Sequence, residues 1–242
     1  MSVLCVVLLA HAIVNGQSVT ITPRKETYKR TAADVPDFKR HFEVRYPVFS
    51  GNLTRAALAN LKTNTDYWQV FEISLEENLK DDDWLTSLDY QVIYNKNNIL
   101  DIRLAMEGVG AYPDTSYLYM VFDLRTGKEV AVEDLFAQLP RLRNMIRAKM
   151  KSQENALGRE VKKELALHRS FESGAEYYPP PEKLELKSLE GFSVSDRGVT
   201  FLYDYGFPHV SQALQPPGKF FFSWAQLKPL IRRDGLLARF IG

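Results

Sequence analysis

From His41 the chain alternates. Phe42, Val44 and Tyr46 stand against Glu43 and Arg45, a period of two that predicts a half-buried strand. Pro47 predicts that this ladder ends there or lies at a sheet edge. Ser50-Gly51-Asn52 reads as a turn. The period then changes: Leu53, Ala57, Leu58 and Leu61 of LTRAALANLK fall on one helical stripe. Tyr67 to Leu75 carries both signals, with the rings and β-branched residues of a strand running into SLEENLK, which favours helix. Asp81-Asp82-Asp83 reads as a solvated helix end, because it lacks the Gly, Asn and Glu spacing of a calcium loop.

Strand signals follow. SLDYQVIYN, the turn NKNN and ILDIRLAMEG predict an antiparallel hairpin, with Leu100, Ile102, Leu104 and Met106 toward the core and Ile99, Asp101 and Arg103 opposite. In SYLYMVFDL the set Leu118, Met120, Phe122, Leu124 opposes Tyr117, Tyr119, Val121, Asp123. Arg125-Thr126-Gly127-Lys128 is a turn, and Glu133-Asp134 places negative charge at a helix start. Pro140 sits where the first turn of a helix tolerates it. A long amphipathic helix continues from there through Leu142, Met145, Ile146, Lys149 and Met150 and then Leu157, Val161 and Leu165. After the proline loop SGAEYYPPPEK, the last third is β-rich, with a turn at Asp196-Arg197-Gly198 and Phe220, Phe222 and Trp224 sharing a face before a short helix.

Composition narrows the picture. Lys+Arg of 31 against Asp+Glu of 30 gives a formal charge of +1, without the basic excess of a nucleic-acid binder. Val3 to Val14 is an apolar run broken only by His11, too short for a bilayer span of about 20 residues. It fits a signal peptide over residues 1–16, cleaved before Gln17. The mature chain then has no cysteine, since Cys5 is the only one, and no retained membrane span. Residues 17–40, charged and with little apolar periodicity, read as an exposed leader.

Recognisable catalytic spacings are missing. There is no HExxH, GxSxG or GxxxxGK[ST], and no cofactor is expected. A glycan hydrolase needs two carboxylates at a set separation, and the 30 acidic residues single out none; Glu107, Asp114 and Asp123 lie near the aromatic strand, Asp123 in a turn where local hydrogen bonding is the usual role. The aromatic residues are the better lead. Tyr112, Tyr117 and Tyr119, with His209 in a loop, are the candidate ligand-binding residues, because amphipathic rings suit a protein surface or a sugar face. The competing arrangement packs the same tyrosines under the long helix.

YPVFSGN, GAYPDTSYLYMVFDLRTGKEVAVEDLF and GVTFLYDYGF with FFFSWAQLKPLI occur in an order that resembles one family. It is the extracytoplasmic domain shared by the RsiV anti-sigma factor and the N-terminal part of the PdaC polysaccharide deacetylase. The resemblance spans residues 41–242, and DLRTGK followed by DLF is its most specific part. It implies an α+β fold of antiparallel sheets with one long helix and shorter helices. The two halves, about 41–132 and 133–242, would interlock. It also implies export to a bacterial periplasm or exterior, and a non-catalytic binding module for a lysozyme-like protein or a peptidoglycan fragment. This chain shows no anti-sigma segment and no deacetylase domain, and carries Tyr112 where many members have histidine. The alternatives are an envelope hydrolase and a structural envelope protein.

Overall fold

The computed structural model describes residues 17–32, 35–80, 85–110, 112–167, 184–207, 212 and 215–241. The apolar segment 1–16 with Cys5, the acidic run 81–83, His168, the prolines at 179–181 and His209 lie outside the described residues.

Strands β1 (Thr20–Lys29), β2 (His41–Ser50), β3 (Leu85–Lys96), β4 (Ile99–Val109), β5 (Pro113–Asp123) and the short β6 (Lys128–Glu129) form one sheet in chain order. Its pairs are antiparallel except β2 and β3, which run parallel at Glu43↔Ser87 and Val44↔Leu88. A parallel pair needs a crossover, and helices α1 (Arg55–Asn64), α2 (Tyr67–Val70) and α3 (Leu75–Lys80) supply it. Helices α4 (Val132–Leu135) and α5 (Leu139–Leu167) lead to a three-stranded antiparallel sheet of β7 (Gly191–Ser195), β8 (Gly198–Leu202) and β9 (Lys219–Ser223), followed by α6 (Trp224–Leu227). The architecture is the α+β arrangement expected, with one long helix.

Residues 17–40 depart from the reading as a leader. Residues 20–29 pair with β2 along their whole length, Thr20↔Ser50 through Lys29↔His41, and Val19, Arg30 and Val35 are buried. The signal was hidden because β1 is an edge strand, mostly solvent-facing, and edges are protected by charge and proline. Arg30 N–H donates to the Arg40 carbonyl at 2.9 Å, so in this register the even residues of β1 bond to β2 and the odd ones face outward. Pro23 therefore costs no ladder bond. Pro47, directly opposite, lies past the short stretch where β3 pairs with β2.

The stretch from Tyr67 opens as helix because Asp66 caps it, accepting from Trp68 N–H at 3.2 Å, and because Tyr67 is buried with its hydroxyl donating to the Arg45 carbonyl at 2.9 Å. The NKNN turn has Asn97 and Asn98 both at φ 60°, the left-handed pair that a two-residue hairpin demands. Asn98 also clamps the start of the fold: Gln17 N–H donates to its Oδ1 at 2.6 Å, and its own N–H donates to the Gln17 carbonyl at 2.9 Å. In the RTGK turn Gly127 has φ +67°, and a Cβ there would lie 2.1 Å from the Ala57 carbonyl oxygen of α1. Only glycine lets the turn seat against the helix.

Two cores share the large sheet. On one face Leu100, Ile102, Leu104, Met106, Met120, Phe122 and Leu124 pack with Leu61, Tyr67 and the strands β2 and β3. On the other, Ile99 and Val121 pack with Leu142, Ile146 and Met150 of α5 and with the inner face of the small sheet, Phe192, Val194, Phe201, Phe220 and Phe222. Leu142, Ile146 and Met150 recur every fourth residue, which is the buried stripe the helical period predicts. Residues on both faces of β4 are thus removed from water at its start, Asp101 included.

Candidate functional site

The small sheet covers only part of β5. Along the odd face, Asp101 and its partner Val121 are buried, Arg103 and Tyr119 are half-buried, and Tyr117, opposite Ala105, is 42% exposed. Where the cover runs out, a cleft of about 600 Å³ opens. One wall is β5 itself: Asp114, Thr115, Ser116, Tyr117 and Tyr119. The other is Glu190, Leu202, Tyr203, Asp204, Phe207, Gln212, Gln215 and the stretch Pro217–Gly218–Lys219.

Local bonds shape the second wall. Asp204 Oδ1 accepts from Gly206 N–H at 2.9 Å, an Asx-type turn that ends the strand geometry after β8, and from Gln215 Nε2 at 2.8 Å. Gln215 Oε1 accepts from Phe207 N–H at 3.0 Å. Tyr203 N–H donates to the Gly218 carbonyl at 2.9 Å. The long helix braces the same segment: Gln153 accepts from Gly218 N–H at 3.2 Å and donates to the Lys219 carbonyl at 3.0 Å. Close packing also requires Gly191, at φ +152°, where a Cβ would stand 3.0 Å from both Cβ and the carbonyl oxygen of Tyr119.

The aromatic groups are ordered by one another. Tyr203 and Tyr205 meet edge-to-face at 5.0 Å, and Tyr205 meets Phe207 at 6.4 Å. Tyr117 and Tyr119 are 6.3 Å apart, and the Arg103 guanidinium lies 4.5 Å over the Tyr117 ring. Asp114, Glu190 and Asp204 face a single lysine, Lys219, so the lining is acidic. Burial, and then the Asp204 charge, raise Glu190 above the usual glutamate range. Burial likewise raises Tyr203, with Asp204 and Glu154 adding to it. Behind this wall the Tyr205 hydroxyl and Glu154 Oε1 are buried without a hydrogen-bond partner among the described residues.

Of the residues singled out from sequence, Tyr117 and Tyr119 are brought together on the β5 wall rather than under α5. Tyr112 is 65% exposed at the start of β5 and is not part of the lining. His209 lies outside the described residues. Among the carboxylates near the aromatic strand, Asp114 lines the cleft, Glu107 accepts from the Ser87 hydroxyl at 2.9 Å, and Asp123 is held by Arg125 within its own turn at 2.5 Å. Tyr203, Phe207, Glu190, Asp204 and Gln215 were missed. The sequence signal for them was present in YDYGF, where Asp two residues before Gly marks the turn that swings the rings off the strand.

A second cleft, about 610 Å³, lies between β1, β2 and α1. Several of its polar groups pair with one another: the Tyr28 hydroxyl donates to Glu26 and meets the Tyr46 hydroxyl at 3.0 Å. Trp68 Nε1 donates to Tyr46 at 3.2 Å, and Arg24 pairs with Glu26 at 3.1 Å. Among the described residues no group of three or more His, Cys, Asp or Glu side chains is placed to hold a metal ion.

The fold is similar to that of a DUF3298 family protein from Pseudomonas aeruginosa, with a TM-score of 0.55 at 10% identity over 88% of this chain and 94% of that one. A DUF3298 member from Bacteroides fragilis gives a TM-score of 0.48 at 12% identity, over 92% and 96% of the two chains. DUF3298 is the domain found in RsiV and PdaC. No family model and no curated protein sequence matches the chain.

Proposed function

We propose that this protein is an exported, non-catalytic recognition module of the bacterial envelope, and that the cleft beside β5 binds a peptidoglycan fragment. The observation that supports it is the lining: Tyr117, Tyr119, Tyr203 and Phe207 rings interleaved with carboxylates and amides in one open cleft. Rings offer flat apolar area to a sugar face, and carboxylates and amides accept from and donate to hydroxyl and acetamido groups. The volume falls within the range of ordinary ligand sites, roughly 300–1,000 Å³. Among the described residues no helix is long and apolar enough to cross a membrane. The export reading rests on the apolar run Val3 to Val14 and on the family resemblance.

One observation favours catalysis as a second reading: Glu190 is kept protonated more readily than an ordinary glutamate, beside Asp204, as a general acid would be. Asp204 Oδ1 already accepts two internal bonds, so this carboxylate serves the wall's architecture. Retention of the purified protein on insoluble peptidoglycan, with competition by soluble muropeptides, tests recognition. Binding without release of reducing sugar is the expected result. Sustained release that disappears in Glu190→Gln would establish the hydrolase instead.

A further inference from the structure

We infer that the cleft takes the peptide arm of its ligand as an added β-strand on the open edge of β5, with one peptide residue exchanging both backbone hydrogen bonds with Tyr117. This rests on the reading of the cleft as a recognition site and specifies how β5 contributes to it.

The edge can be traced bond by bond. β6 pairs with β5 only at Phe122 and Asp123. The Val121 carbonyl accepts from Val130 N–H at 2.8 Å, and the Asp123 carbonyl from Gly127 N–H at 2.7 Å, so both point away from β4. Leu124 N–H, one residue on, turns the other way to the Asn98 carbonyl at 2.9 Å. Backbone groups alternate sides along a strand, so the odd residues Thr115, Tyr117 and Tyr119 also point outward. Thr115 confirms the parity: its N–H is bonded at 2.8 Å to the side chain of Asp114, as an amide outside the ladder must be. Pro113, at the next odd position, has no N–H to lose.

Among the described residues no strand covers this part of the edge. Asp114 occupies the Thr115 amide and Gly191 backs onto the Tyr119 carbonyl. Tyr117 is left between them with donor and acceptor both directed outward, the two-bond unit of an antiparallel pair. Unpaired edges of this kind are the platforms used in strand addition. The edge forms one wall of the cleft, and the acidic balance of Asp114, Glu190 and Asp204 against Lys219 selects a peptide carrying a basic side chain.

The test leaves the protein unaltered. The probes are acetyl-Thr-Val-Lys-Val-Thr-Ala-amide, its single N-methyl variants, and chitotetraose as a sugar without peptide. Binding is followed by NMR titration of the full chain. The expected result is that N-methylation at one position, the residue facing Tyr117, weakens binding at least ~10-fold, the scale of a lost hydrogen bond. N-methylation at the two adjacent positions changes it less than about twofold, since those amides point away from β5. The Tyr117 amide becomes protected from hydrogen exchange. Chitotetraose shifting the cleft resonances while the peptide does not would overturn strand addition and leave the recognition reading standing. Peptide binding indifferent to N-methyl position would also overturn it. No shift with either probe or with muropeptides would overturn both.

Discussion

The two faces of β4 meet different neighbours. The even face, Leu100 to Met106, is apolar throughout and packs on apolar side chains. The odd face begins with Ile99, places the buried carboxylate Asp101 under the small sheet, and ends half-exposed. Asp101 Oδ2 accepts from the Ser193 hydroxyl at 2.5 Å and from Val194 N–H at 2.7 Å, while Oδ1 has no hydrogen-bond partner among the described residues. Apolar contact holds sheets together but sets register weakly. A single carboxylate with two directional donors fixes where β7 crosses β4 and β5, and so where the cover stops and the cleft begins. One face therefore supplies stability, and the other supplies stability together with position.

Breaking the first face carries the largest expected effect. Ile102→Ala removes a fully buried side chain and leaves a cavity, at a cost of about 2–5 kcal/mol in urea denaturation. Asp101 sharpens the comparison through pH. Burial pushes its carboxyl up from 3.8 to about 6 despite the Ser193 and Val194 bonds. The folded state thus holds the proton more tightly than the unfolded chain, and this group's contribution to stability rises as pH falls through about 6 and is complete below about 3.8. Relative to Asp101→Asn, the unaltered protein should gain about 2 kcal/mol between pH 7 and pH 4, read from denaturation curves at both pH values. The difference between the two proteins cancels carboxylates common to both.

Tyr117→Ala comes next. It should weaken muropeptide binding about tenfold by calorimetry and leave the denaturation midpoint nearly unchanged, because the ring is partly exposed and packs chiefly on Tyr119 and Arg103. The smallest effect is expected at an exposed polar tie between the sheets, Lys96 with Asp196 at 2.6 Å. Both side chains are solvent-exposed, so Lys96→Ala should give a denaturation curve superimposable on that of the unaltered protein, in contrast to the buried tie at Asp101.

Local chemistry was what the sequence displayed. The Asn97-Asn98 turn, the Gly127 turn, the alternation in β4 and β5 and the fourfold stripe of α5 each act within a few residues, and each was found where the pattern placed it. β1 escaped because an edge strand need not alternate: its stability comes from pairing with β2, Thr20↔Ser50 through Lys29↔His41. The cleft was half legible. Tyr117 and Tyr119 stood out as rings on one strand, but the opposite wall, with Glu190, Tyr203, Asp204 and Lys219, reaches β5 only through the docking of the small sheet. No period along the chain reports that distance, and the buried Asp101 that fixes it looks like an ordinary polar position in an alternating strand.

The most direct measurement is an NMR titration of the isotopically labelled protein with soluble muropeptides, with the ligand recovered and analysed afterwards. The account predicts shifts concentrated at Thr115–Tyr119 and at Tyr203, Asp204, Phe207, Gln215 and Lys219 of the facing wall, saturating with dose, and a ligand recovered intact. Shifts centred instead on the cleft of Tyr28, Tyr46 and Trp68, no shifts at all, or a ligand recovered in pieces would contradict it.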